Sequence, residues 1–92
     1  LNISSIFIKN KKYEKAIEVL TKGINKNPEA SDLYYNRSCC YSILNMIELA
    51  LADMKTSLMI DENLLQWYKN DKDFDNLRNN KVFNEIIQMY EE

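Results

Sequence analysis

Apolar residues recur along this chain at helical spacing rather than in strict alternation. Tyr13, Ala16, Ile17, Leu20, Gly23 and Ile24 follow i, i+3, i+4, i+7 and form one stripe. Ile47, Ala50, Leu51, Met54, Ser57 and Leu58 form the same stripe again, displaced by 34 residues. At that offset Ser4 also falls on Ser38, Phe7 on Tyr41 and Tyr34 on Tyr68. Small residues fall on small ones, and large apolar or aromatic residues on their like. The pattern predicts a repeated helical unit. Small residues between large ones let neighbouring helices approach while the large ones fill the grooves. Gly23 costs about 1 kcal/mol against Ala inside a helix, so a close helix crossing is expected there.

The spacing predicts helices over residues 2–9, 12–26, 30–44, 47–60, 63–70 and 80–91. Asn27-Pro28 closes the second, because proline cannot continue it. Ser31 or Asp32 is expected to cap the third, and Asn45 to supply the left-handed residue of the next turn. After Tyr68 the period fails: Lys81, Asn84 and Gln88 stand where Ile47, Ala50 and Met54 would recur. Residues 70–80, rich in Asp and Asn, read as a loop with local turns, anchored by Phe74 and Leu77. The last helix sets Phe83, Ile86, Ile87 and Tyr90 against a polar side of Asn84, Glu85, Gln88, Glu91 and Glu92. Such a helix suits the end of a stack, whose terminal apolar face would otherwise meet water. The expectation is one domain over 1–92: a truncated repeat at 1–30, a full repeat at 31–64, and a partial repeat with a C-terminal cap at 65–92.

Composition agrees with an all-α chain, since only one Gly and one Pro occur in 92 residues. The net charge of −2 argues against nucleic acid as a partner. Lys9 to Lys26 is basic but interleaved with Glu14 and Glu18, the pattern of a solvated helix face. No stretch approaches the roughly 20 apolar residues of a membrane span, so no membrane association is expected. The first residue is Leu1 rather than Met, which reads as a trimmed fragment. Leu1, Ile3, Ile6 and Phe7 then lie on a first helix without a preceding partner, a face that would favour self-association. Cys39 and Cys40 are adjacent and project about 100° apart on a helix. They do not pair with each other, and a reducing, cytoplasmic setting is expected.

The absence of His removes the commonest general base, the Ser-His and Cys-His nucleophile pairs and most zinc sites. Two cysteines alone cannot complete a tetrahedral metal site. Cys40 reads as a small core residue and Cys39 as a groove-edge residue. Asp71, Asp73 and Asp75 alternate like the start of a calcium loop but lack its Gly and closing Glu. A single Gly cannot build a phosphate-cradling loop. Trp67-Tyr68 reads as core rather than as a stacking platform. The expectation is therefore no catalytic residues, no metal and no cofactor. The chain reads as a non-enzymatic protein-binding scaffold, with an oligomerisation module or an accessory domain of a longer, catalytic chain as alternatives.

Residues 31–64 resemble a nearly complete tetratricopeptide repeat. Tyr34 stands at the Trp position, Ser38 at the small residue, Tyr41 at the Tyr, Ala50 at the Ala and Met54 at the Phe. Arg37 replaces the usual Leu and Glu62 the Pro. Ala16, Leu20 and Pro28 fit the second half of the preceding unit, and Phe7 fits its first. Residues 73–78 followed by 83–87 look like the closing segment of bacterial arrays of this family. The resemblance implies paired antiparallel helices stacked as a right-handed α-solenoid with a terminal capping helix. It also implies a concave groove that binds a peptide or partner helix. The implied groove residues are Asp32, Tyr35, Asn36, Cys39, Ser42 and Ile43, with Gln66, Lys69 and Asn70 from the following helix. An exposed Tyr35 beside amide side chains would suit peptide recognition. In the subfamily that clamps a terminal carboxylate, Asn36 is retained. Ser5 replaces the other Asn, and Gln66 and Asn70 replace the basic residues. A carboxylate needs charge-assisted bonds, so that ligand is not expected.

Overall fold

The two stripes become the inner faces of α2 (Tyr13–Lys26) and α4 (Ile47–Ile60). Ala16, Leu20 and Ile24 are buried on the first, and Ala50, Leu51, Met54, Ser57 and Leu58 on the second. These helices belong to a computed structural model that describes residues 3–91. Leu1, Glu92, residue 2 as a helix start and the side chain of Ile3 lie outside the described residues. The remaining helices are α1 (Ile3–Lys9), α3 (Ser31–Ile43), α5 (Leu65–Asn70) and α6 (Lys81–Glu91). Two 3₁₀ segments, Glu62–Leu64 and Lys72–Leu77, lie before and after α5. Helix α2 packs between α1 and α3, α3 packs on α4, and α6 closes over α4 and α5. The architecture is an all-α helical repeat.

The 34-residue period extends to the backbone. Lys11 and Asn45 both take left-handed conformations, with φ 61° and 62°. Lys12 N–H donates to the Phe7 carbonyl and Met46 N–H to the Tyr41 carbonyl, each at 2.8 Å. These are equivalent C-terminal caps that satisfy the last helical carbonyls. Asn45 is a residue type at ease in that conformation, whereas Lys11 is not. Lys11→Gly is therefore expected to raise stability by about 0.5–1 kcal/mol. A thermal melt checks this, and an unchanged or lower midpoint counts against the cap assignment. At the far ends, Asn27 N–H donates to Gly23 O at 2.9 Å and Asp61 N–H to Ser57 O at 2.8 Å, again 34 residues apart.

Three expectations change. Neither Ser31 nor Asp32 caps α3: Ala30, with extended backbone, holds the cap position and no side chain bonds there. Asp32 still sits in the first turn, where the helix dipole favours its charge. At Gly23, a Cβ would stand 3.1 Å from Leu33 Cδ1. The close approach is thus to the tip of a side chain rather than to a facing backbone. Residues 70–80 are not a loop with local turns but carry the 3₁₀ segment, opened by Asp71 accepting from Asp73 N–H at 2.9 Å. A 3₁₀ helix has three residues per turn, so Phe74 and Leu77 share one side, and both are fully buried. Glu62–Leu64 likewise opens as a 3₁₀ turn on Asp61, so α5 proper starts at Leu65.

The larger core cluster gathers Tyr35, Met54, Leu58, Leu65, Tyr68, Phe74, Phe83 and Ile86, among others. A smaller one joins Ala16, Leu20 and Cys40, with Phe7 and Tyr13 packed against it. Arg37, which stands where the repeat usually carries Leu, is partly buried. It bonds both oxygens of Asp53, from Nε at 2.7 Å and from the second terminal nitrogen at 2.8 Å. Its remaining nitrogen reaches Thr21 Oγ1 at 3.1 Å, so one side chain ties together α2, α3 and α4.

Candidate interaction groove

Helical spacing places Asp32, Tyr35, Asn36, Cys39, Ser42 and Ile43 on neighbouring rows of α3. The middle of that face is covered. The 72–77 segment lies across α3, leaving Tyr35 4% exposed, Cys39 3% and Ser42 0%. Tyr35 is therefore not the exposed aromatic that the resemblance implies, and Cys39 is interior rather than groove edge. Tyr35 Oη donates to Asp71 at 2.6 Å, and Asn76 Nδ2 donates to the Ser42 carbonyl at 2.9 Å. Asp32 is exposed, and Asn36 and Ile43 are half-buried.

Helix α5 supplies the other wall. Gln66 and Asn70 are exposed, and Asn70 Nδ2 donates to the Gln66 carbonyl at 2.8 Å. Lys69 turns away to pair with Glu91 of α6. Tyr68 is core, hydrogen-bonded to Ser57. Trp67, read as core from its neighbours, is instead 58% exposed. Its ring meets Tyr35 edge-on, with centroids 5.4 Å apart at 81°.

Between α3 and α5 these residues enclose an open depression of about 320 Å³, lined by Tyr35, Gln66, Trp67, Asn70 and Asp71. Three of the residues implied by the resemblance meet there: Tyr35, Gln66 and Asn70. Asp32, Asn36, Cys39, Ser42, Ile43 and Lys69 do not line it. Trp67 and Asp71 line it although neither was expected to. Trp67 lies three residues before Asn70, a helical neighbour, which was the available signal. Nothing in the spacing places Asp71 beneath Tyr35. A second depression, about 480 Å³ and mainly aliphatic, lies between α2 and the α3–α4 turn and is lined by Ile17, Tyr41, Leu44, Met46, Leu49 and Glu14.

The electrostatics follow from burial. The Tyr35 hydroxyl is pushed far above its ordinary pKa, first by burial and then by its bond to Asp71. Cys39 is also raised, first by burial and then by the Asp71 and Asp73 charges, and Cys40 is pushed up to about 12, first by burial. Neither thiol is primed as a nucleophile, because the thiolate is the reactive form. Asp73 is raised by burial and then by the Asp71 charge. Ligand atoms of Cys39, Asp71 and Asp73 lie within 4.8 Å of one another. Among the described residues no helix is long and apolar enough to cross a membrane.

This geometry, stacked helix pairs with a depression between α3 and α5, is that of a helical-repeat interaction module. The chain belongs to the tetratricopeptide repeat family, whose model matches residues 1–29 and 31–64. Over 89 residues it is 33% identical to a chloroplastic protein of Arabidopsis thaliana, covering 94% of this chain and 27% of that protein. It is also 32% and 29% identical to Hsp70-Hsp90 organizing proteins 2 and 3 of Arabidopsis thaliana, each over 62 residues. Those matches cover 67% of this chain and 11% of either relative. The chain thus spans only a minor part of these relatives. No solved structure matches it.

Proposed function

We propose that the chain binds a peptide or a partner helix in the depression between α3 and α5. The observation that carries this reading is the exposed Trp67 ring beside the Gln66 and Asn70 amides, in a hollow between the first helices of successive units. An aromatic ring gives contact area at low entropic cost, and amides bond a peptide backbone. Under the same reading residues 1–30 form a truncated repeat, 31–64 a full one, and 65–92 a partial repeat with its cap. A terminal carboxylate is a poor ligand here. Gln66 and Asn70 carry no charge, and the Arg37 guanidinium is engaged by Asp53.

The test is affinity capture from lysate, comparing wild type with a Gln66→Ala/Trp67→Ala variant by mass spectrometry. Tyr35→Ala is unsuitable, because Tyr35 is buried at the junction of three aromatic rings and its removal would unsettle the fold. A protein held by wild type and lost by the variant is expected; equal retention by both would move the binding surface elsewhere. Self-association is the second reading, favoured by Ile6 of α1, which is 52% exposed. A mass by light scattering that rises with concentration, and stops rising in Ile6→Ser, would support it.

A further inference from the structure

We propose that this depression takes a cationic side chain, an arginine or lysine presented by an extended segment of a partner protein. The proposal rests on the groove reading and adds a ligand chemistry to it.

The Asp71 carboxylate lines the depression and is held in place. One oxygen accepts from Tyr35 Oη at 2.6 Å and the other from Asp73 N–H at 2.9 Å. A carboxylate fixed by two donors keeps lone pairs for a third, and a bond to a cation is charge-assisted. The Trp67 ring is braced edge-on against Tyr35, and an indole face is the best aromatic partner for an ammonium or guanidinium. Gln66 and Asn70 at the rim suit the peptide backbone on either side. Nearby cations are largely engaged. Lys69 pairs with Glu91, and Arg78 donates to the Tyr68 and Asp71 carbonyls and pairs with Asp75. Lys72 is exposed. The Asp71 and Asp73 carboxylates lie close together on the same side of the chain, so the neighbourhood favours an incoming positive charge. An incoming carboxylate would face Asp71.

Trp67 is the only tryptophan in the chain, so its emission and its indole N–H resonance report on the depression directly. The probes are three Gly/Ser peptides of equal length: one with spaced arginines and blocked ends, one with spaced glutamates and blocked ends, and one with glutamates and a free C-terminal carboxylate. The arginine peptide is expected to shift the Trp67 signals saturably, and the other two are not. Asp71→Asn keeps one acceptor oxygen, for Asp73 N–H, and turns an amide N–H toward Tyr35 Oη, which can accept it; the charge is lost, and the arginine peptide is expected to bind about tenfold more weakly. Trp67→Leu, followed by anisotropy of a labelled arginine peptide, is expected to lose binding as well. Equal or stronger titration by a glutamate peptide, or an Asp71→Asn variant that binds as wild type, would overturn the charge assignment while leaving the groove reading in place. Silence of Trp67 toward all three also overturns the proposal. The groove reading itself then stands or falls separately on the capture experiment.

Discussion

Asp53→Ala is expected to lower the unfolding free energy by about 3–5 kcal/mol, the usual cost of removing one partner of a buried ion pair. Asp53 is 5% exposed and holds both ends of the Arg37 fork. The Arg37 guanidinium also lies near the rings of Tyr34 and Tyr41, at 5.9 and 5.7 Å from their centroids. Once Asp53 is gone, the guanidinium stays between helices with only Thr21 and two rings as partners. The asymmetry lies in what replaces the pair. Arg37→Leu restores the residue usual at this repeat position, and combined with Asp53→Leu it removes both charges together. The double variant is expected to lie within about 1–2 kcal/mol of wild type, because apolar packing often matches a buried pair. Urea denaturation of Arg37→Leu, of Asp53→Leu and of the double variant gives the coupling directly. Additive losses would show that the two side chains do not act as a pair.

Removing residues 81–92 is expected to abolish cooperative unfolding. Phe83 is 1% exposed and Ile86 3%, and together they help cover Leu65, Tyr68, Phe74 and Leu77. The point variant Phe83→Ala is the milder form, expected to cost about 3–5 kcal/mol through lost burial and the cavity left behind. The Phe83 ring stacks against Phe74, with centroids 6.2 Å apart, and Arg78 lies over its face. Its loss should therefore also loosen the 72–77 segment that positions Asp71. A truncated chain melting as sharply and as high as the parent would refute the covering role of α6.

Much of the fold is legible in the residue pattern because repeat helices are held by short-range packing. The Ala16 and Ala50 stripes, the boundary at Asn27 and the left-handed turn at Asn45 each follow from residues within one or two helical turns. The left-handed Lys11 is different. No local preference selects it; the equivalent hairpin geometry imposes it, and only alignment with Asn45 gives a hint. The groove was half legible. Gln66 and Asn70 line the depression, but Tyr35 shows it little more than its buried ring, and Trp67 is the exposed aromatic instead.

By itself, then, the sequence determined that the chain is all-α, where its repeated helices run and which of their faces turn inward, since helical periodicity alone sorts side chains into faces. Only the tertiary structure decided what covers each face. Arg37 meets Asp53 16 residues away, and Tyr35 meets Asp71 36 residues away. The aperiodic 72–77 segment settles on α3 through two anchoring side chains. Contacts of that kind depend on the relative placement of whole elements, about which the spacing within any one of them says nothing.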